Sequence, residues 1–152
     1  MKTLVYIGSD HGGYTHKQKI IAHLKKKGHA IIDKGVSSSE KSSDYPDQAS
    51  LVAKEVAEKK TAKGILICGT GIGMTIAANK VKGIRAAMAY DTYSAKMSRQ
   101  HNNANILTLK GRKMPLKNNL KIVDAWLKEP FSDGLRHKRR IKKIAQLERD
   151  AL

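Results

Sequence analysis

The sequence predicts an α/β fold: a single doubly wound, Rossmann-like domain of about five parallel strands flanked by helices. Three observations carry this expectation. Short apolar runs of strand length alternate with longer amphipathic stretches along the whole chain. The stretches between runs are long, which suits right-handed crossovers between parallel strands rather than hairpins. The length, 152 residues, supports one hydrophobic core and would leave two packed domains too small.

Leu4-Val5-Tyr6-Ile7 reads as the first strand, followed by Gly12-Gly13 and a lysine-rich helix carrying Ile20, Ile21 and Leu24. Gly28 stops that helix, and Ala30-Ile31-Ile32 reads as the second strand. A polar loop, Ser37 to Asp44, leads to Pro46 at a helix start. Ala49, Val52, Ala53, Val56 and Ala57 then recur at helical spacing, the clearest amphipathic face in the chain. Ile65-Leu66-Ile67-Cys68 is the third strand and runs straight into Gly69-Thr70-Gly71-Ile72-Gly73. Ile84 to Ala89 and Asn105 to Leu109 are the fourth and fifth strands, with a helix over Asp91 to His101 between them. Leu116, Leu120, Val123 and Leu127 mark another helix, and Asp133 is placed to cap a basic terminal helix over about 133–150. No repeat or linker divides residues 1–152.

Composition narrows the function classes. Lys and Arg number 30 against 13 Asp and Glu, a formal net charge of +17. Such a balance invites a nucleic-acid reading. The charge is dispersed, however, and only Arg136 to Lys143 forms a dense run. Aromatic residues make up 5%, too few for an evident base-stacking platform. No run approaches the roughly 20 apolar residues of a membrane span. One cysteine excludes an internal disulfide, and Ser9-Asp10-His11 interrupts the N-terminal apolar run before it resembles a signal peptide. The expected compartment is the cytoplasm. Scattered histidines without an HExxH pattern argue against a metal site. His16, His23 and His29 sit among lysines and read as solvated, while Arg85 and Arg99 read as salt-bridged structural groups.

In such a sheet, ligands bind beyond the carboxyl ends of the strands, where the winding reverses. With the first and third strands adjacent, Ser9-Asp10-His11-Gly12-Gly13 meets Cys68-Gly69-Thr70-Gly71-Ile72-Gly73 there. The glycines free backbone N–H groups to converge on an anion beside the start of a helix. Neither a dinucleotide fingerprint nor a P-loop fits the spacing. Cys68, ending a strand beside that helix start, could act as nucleophile or proton acceptor. Asp10 and His11 could orient a hydroxyl or move a proton.

Several motifs occur together in order: Ser9-Asp10-His11-Gly-Gly, Ser43-Asp44-Tyr45-Pro46, Ile67 to Gly73, Ile76-Ala77-Ala78-Asn79-Lys80, Gly83-Ile84-Arg85-Ala86, Ser98-Arg99-Gln100-His101-Asn102, Ile122 to Leu127, and Arg136-His137 with Arg140. The combination resembles the family of ribose-5-phosphate isomerase B and galactose-6-phosphate isomerase subunits, over essentially the whole chain. The resemblance implies a cofactor-free aldose–ketose isomerase interconverting ribose 5-phosphate and ribulose 5-phosphate through an enediolate. It implies Cys68 as the proton-transferring base; a second branch uses a glutamate just after the glycine loop, where this chain has Met74. The N–H groups from Gly69 through Thr70, Gly71 and Ile72 to Gly73 would hold the enediolate, with Thr70 assisting. Arg112, Arg136 and Arg140 would grip the phosphate, with His11 nearby. His101 would donate the proton that opens the furanose ring, and Asp10, Tyr45 and Asn102 would hold hydroxyls. The resemblance also implies a homodimer or tetramer with a site shared between subunits. Two alternatives stand beside it: a 6-phosphohexose isomerase acting on allose or galactose 6-phosphate, and a basic nucleic-acid-binding module.

Overall fold

The computed structural model describes residues 2–151. Five strands form one sheet: β1 (Leu4–Ser9), β2 (Ala30–Asp33), β3 (Lys63–Cys68), β4 (Ala86–Met88) and β5 (Ile106–Lys110). All neighbours are parallel, in the order β2-β1-β3-β5-β4. The helices are α1 (Tyr14–Lys26), α2 (Tyr45–Glu58), α3 (Ile72–Ala78), α4 (Thr92–Asn102), α5 (Leu116–Lys128) and α6 (Leu135–Asp150), with a 3-10 turn at His11–Gly13. The expected adjacency of first and third strands holds, and the winding reverses between them. Among the described residues, no helix is long and apolar enough to cross a membrane.

The period-two alternation of the strands divides the core in two. Val5, Ile7, Ile65, Ile67, Leu107 and Leu109 face one side and pack with Ile20 and Leu24 of α1, and Ile122, Val123 and Trp126 of α5. Tyr6, Leu66, Cys68 and Ile106 face the other side, toward Ala49, Val52, Ala53 and Val56 of α2 and Met74 and Ala78 of α3. Both faces of every central strand are therefore covered, which is why the strands read as continuous apolar runs. Cys68 lies on the α2–α3 side.

Three local expectations are corrected. The fourth strand, Ala86–Met88, is shorter than Ile84–Ala89; it starts after Arg85, whose N–H donates to Asn105 Oδ1 instead of a neighbouring backbone carbonyl. Asp133 does not cap the terminal helix: Gly134 holds that position, Asp133 has φ +56°, and its carboxylate pairs with Lys138 at 3.0 Å. The three histidines read as solvated all have partners. The His23 ring meets Asp124 at 2.9 Å, His16 meets Asn119 at 2.8 Å, and His29 accepts from Thr3 N–H at 3.3 Å. Burial lowers the His16 pKa below the ordinary imidazole value.

Arg85 and Arg99 are structural, but carbonyls hold them rather than carboxylates. Arg85 Nε donates to Asn102 O at 2.9 Å and its Nη2 to Asn103 O at 3.0 Å. Arg99 donates to the Ala104 and Glu129 carbonyls and to the Asn103 side chain. Fully buried Lys17 ties the sheet edge to the following loop, reaching Asp33 at 2.5 Å and the Val36 carbonyl at 2.9 Å.

The strand ends meet at distances only glycine permits. A Cβ on Gly13 would lie 2.3 Å from the Ile67 carbonyl oxygen, and one on Gly111 would lie 2.7 Å from the Gly12 oxygen. These obstacles are backbone atoms and cannot rotate away. Gly13→Ala is expected to lower stability by about 2–3 kcal/mol in urea unfolding; a loss below about 0.5 kcal/mol would show that the turn relaxes easily.

Candidate active site

The carboxyl ends of β1, β3 and β5 form one rim. Asp10 Oδ1 accepts from Gly13 N–H at 3.1 Å, closing the turn after β1. His11 and Ser43 bond reciprocally, each backbone N–H reaching the other's side chain at 3.2 Å. Because Ser43 N–H donates to His11 Nδ1, Nδ1 is the acceptor nitrogen and Nε2 is left to carry the ring proton. The Ser37–Asp44 loop is thereby fastened to the rim.

Cys68 is 4% exposed, more enclosed than a rim thiol. Its sulfur accepts from Gly71 N–H at 3.1 Å, and Gly71 takes φ +82° to begin α3. Ile72 N–H donates to Thr70 Oγ1 at 3.3 Å. Two of the five loop N–H groups are thus committed internally, leaving those of Gly69, Thr70 and Gly73 to meet a ligand. Arg112 folds over the glycines: its Nη1 lies 3.5 Å from a Cβ built on Gly69, and its Nη2 lies 3.4 Å from one built on Gly12. Two backbone bonds hold that segment, Gly111 N–H to Cys68 O at 2.8 Å and Arg112 N–H to Gly69 O at 3.1 Å. Tyr45, the first residue of α2, lays its ring against Gly73, where a Cβ would meet ring carbons at 2.7 Å. Met74, buried beside Cys68 in the α2–α3 core, offers no second base.

Asp10, His11, Tyr45, Cys68 through Gly73 and Arg112 are therefore gathered in one place. His101, Asn102, Arg136 and Arg140 are not among them. A crossover helix runs back along the sheet, so the end of α4 lies at the amino ends of the strands. Backbone bonds record this: Asn105 N–H donates to Arg85 O before β4, and Gly64 N–H donates to Asn105 O at the start of β3. The length of β3, roughly 17–20 Å, separates the two groups within one chain.

The second group has its own architecture. The rings of His101 and His137 stack with centroids 4.4 Å apart and planes inclined by 11°. Arg136 Nε donates to His137 Nε2 at 3.3 Å. Arg136 and Arg140 are exposed, whereas His137 is buried. His137 is the member that sequence reasoning missed as a site residue. Its signal was periodic: His137, Ile141 and Ile144 follow at helical spacing along the face of α6 opposite most of the basic run. A cavity of about 710 Å³ is lined by Asn102, Arg85 and Ile144 among others and does not include Cys68.

The comparisons with known proteins decide the family. The model of the Ribose/Galactose Isomerase family matches residues 5–144. The chain belongs to that ribose/galactose isomerase family. Among family members, ribose-5-phosphate isomerase B of Escherichia coli K12 is 47% identical over 148 residues, 97% of each protein. A solved ribose-5-phosphate isomerase B from Clostridium thermocellum superposes with a TM-score of 0.95 at 49% identity, covering 99% of this chain and 100% of that one. The Mycoplasma genitalium structure, solved with bound ribulose-5-phosphate, has a TM-score of 0.94 at 46% identity, with 99% of each chain covered. The Rossmann-like α/β fold read from the sequence is thus the family's own.

Burial, then the neighbouring His101, Arg136 and Arg140, lower the His137 pKa below the ordinary imidazole value. The folded state therefore binds fewer protons than the unfolded chain as pH falls through the unfolded pKa near 6.5. Stability contributed by His137 is present above that pH and is lost below it. Thermal unfolding should show a steeper loss below about pH 6.5 in wild type than in His137→Phe, which keeps a stacking ring. Identical pH profiles would remove His137 from the account.

Proposed function

We propose that the chain is an aldose–ketose isomerase that interconverts D-ribose 5-phosphate and D-ribulose 5-phosphate, with Cys68 as the proton-transferring base. The observation that carries the reading is the convergence of Cys68, the glycine loop, His11 and Arg112 on one strand-end rim in a chain of this family. The E. coli and M. genitalium relatives carry the name ribose-5-phosphate isomerase B, and the latter binds ribulose-5-phosphate in its solved structure.

The chemistry follows from the rim. His101 donates a proton to the ring oxygen as the C1–O bond of the furanose breaks and the C1 hydroxyl releases its own proton to solvent, giving the open aldehyde. The Cys68 thiolate then removes the C2 proton, and the electron pair moves into a C1–C2 double bond as the C1 carbonyl oxygen becomes anionic. The free N–H groups of Gly69, Thr70 and Gly73, with the Thr70 hydroxyl, face that developing charge. Return of the proton to C1, with O1 gaining and O2 losing a hydroxyl proton, completes the ketose. No electrons leave the sugar, so the balance requires no cofactor. Arg112, Arg136 and Arg140 bind the phosphate through their fork of donors, and Asp10, Tyr45 and Asn102 hold hydroxyls.

This division of labour requires two chains. Cys68 and Arg112 lie at one end of the sheet, and His101, Arg136 and Arg140 at the other, so one subunit's rim is completed by the other end of its partner. In the assembled homodimer each site draws on both copies.

Cys68→Ala is expected to lower kcat/KM for ribose 5-phosphate by about a thousandfold, followed as ribulose 5-phosphate formation; full activity would reject the thiol as base. Wild type should prefer pentose over 6-phosphohexose substrates in kcat/KM, the reverse order making it a hexose phosphate enzyme. Mixing inactive Cys68→Ala and His101→Ala proteins should restore about a quarter of wild-type activity, because half the pairs are mixed and each then has one intact site. No recovery after subunit exchange would place both residues in the same chain's site.

A further inference from the structure

A cavity of about 360 Å³ opens at the amino end of the sheet, between the end of α2 and the start of β3. Its polar lining is Lys60, Lys63, Arg85, Asn103 and Asn105, with Val56 on the apolar wall, and none of its lining residues is acidic. The cations there lack carboxylate partners. Neither Lys60, Lys63 nor Arg85 forms an ion pair among the described residues. Arg85 spends Nε and Nη2 on the Asn102 and Asn103 carbonyls, leaving Nη1 as a donor. Both ends of the Asn105 amide are occupied, Oδ1 by Arg85 N–H at 2.8 Å and Nδ2 by Gly83 O at 2.9 Å.

The unfilled side-chain groups are consequently donors: the Lys60 and Lys63 ammoniums, Arg85 Nη1 and the neutral amide N–H groups of Asn103. Arg99 adds a further buried positive charge close by, felt by Lys63 and with its own pKa lowered by burial and then by Arg85. Glu148, the acid that Arg85 feels, accepts Gly83 N–H at 2.9 Å and does not line the cavity. Like charges collected in a half-buried place are unfavourable unless an anion joins them. Burial, then Arg99 and Arg85, lower the Lys63 ammonium to about 8, a consequence of the same crowding.

We propose that this cavity is a second anion site, distinct from the substrate's, which takes a phosphate group through Lys60, Lys63 and the free edge of Arg85. A phosphate dianion presents several acceptor oxygens to three donors and relieves the mutual repulsion of the cations. A neutral sugar or a metal cation matches neither the charge nor the donor set. Arg85 also clasps the carbonyls that follow His101, so an anion held here stiffens the end of α4. The inference rests on this cavity alone and stands or falls separately from the isomerase reading.

Lys63 supplies the test, since an amine titrating near 8 acylates readily at mildly alkaline pH. Wild-type protein and Arg140→Ala are treated with succinimidyl acetate at about pH 8, and acetylation of individual lysines is followed by peptide mass spectrometry. Millimolar inorganic phosphate is expected to slow Lys63 acetylation about five-fold in both proteins while leaving surface-exposed Lys25 unchanged. In Lys60→Ala a higher phosphate concentration should be needed for the same protection. Greater protection by ribose 5-phosphate than by inorganic phosphate in Arg140→Ala would assign the site to phosphate monoesters; equal protection would assign it to the free ion. No slowing at Lys63, equal slowing at Lys25, or protection that disappears in Arg140→Ala would overturn the proposal.

Discussion

The architecture depends on the close approach of three strand ends. The turn after β1 packs against the Ile67 carbonyl, and the segment after β5 packs against the Gly12 carbonyl, in both places at distances that exclude any side chain. Backbone bonds from Gly111 and Arg112 to Cys68 and Gly69 complete the seam. Once it is closed, Asp10 caps its turn, Arg112 falls across two glycines, and the Cys68 sulfur sits under a backbone N–H. The site is thus positioned mainly by main-chain geometry, which holds position better than long flexible side chains do.

The sheet contributes direction as well as support. Parallel strands joined by crossover helices place every strand end on one side and every helix end on the other. A residue closing one strand and a residue near the end of any crossover helix are therefore kept about a strand length apart. Cys68 and His101 have this relation. The separation is a property of the winding itself, and the proposed isomerase reading meets it by drawing each site from two copies.

Much of this was legible in the residues. The five strands were visible because burial on both faces makes each an uninterrupted apolar run. The rim was visible because two glycine-rich polar segments directly follow strands that the winding brings together. The opposite location of His101 was also available in principle, from the direction of α4. Contacts between distant segments were not legible. His23 finds Asp124 and His16 finds Asn119 across the α1–α5 packing, and nothing local distinguishes those histidines from solvated ones. Asp133 has the right residue type for a cap, yet Gly134 takes that position and Lys138 claims its carboxylate. The large positive charge, unexplained by composition, resolves in part into Arg112 at one end of the sheet and, at the other, the Arg136–Arg140 pair and the group around Lys63.

The glycine seam also limits how this scaffold can vary. A pocket is usually narrowed or lengthened by exchanging small wall residues for larger ones, but here Gly13 and Gly111 meet backbone with no room for a single added carbon. Variation at this rim is left to groups that stand on the seam without belonging to it, the Tyr45 ring and the His11–Ser43 pair. Change within this architecture is thereby displaced from the glycine loop to its borders.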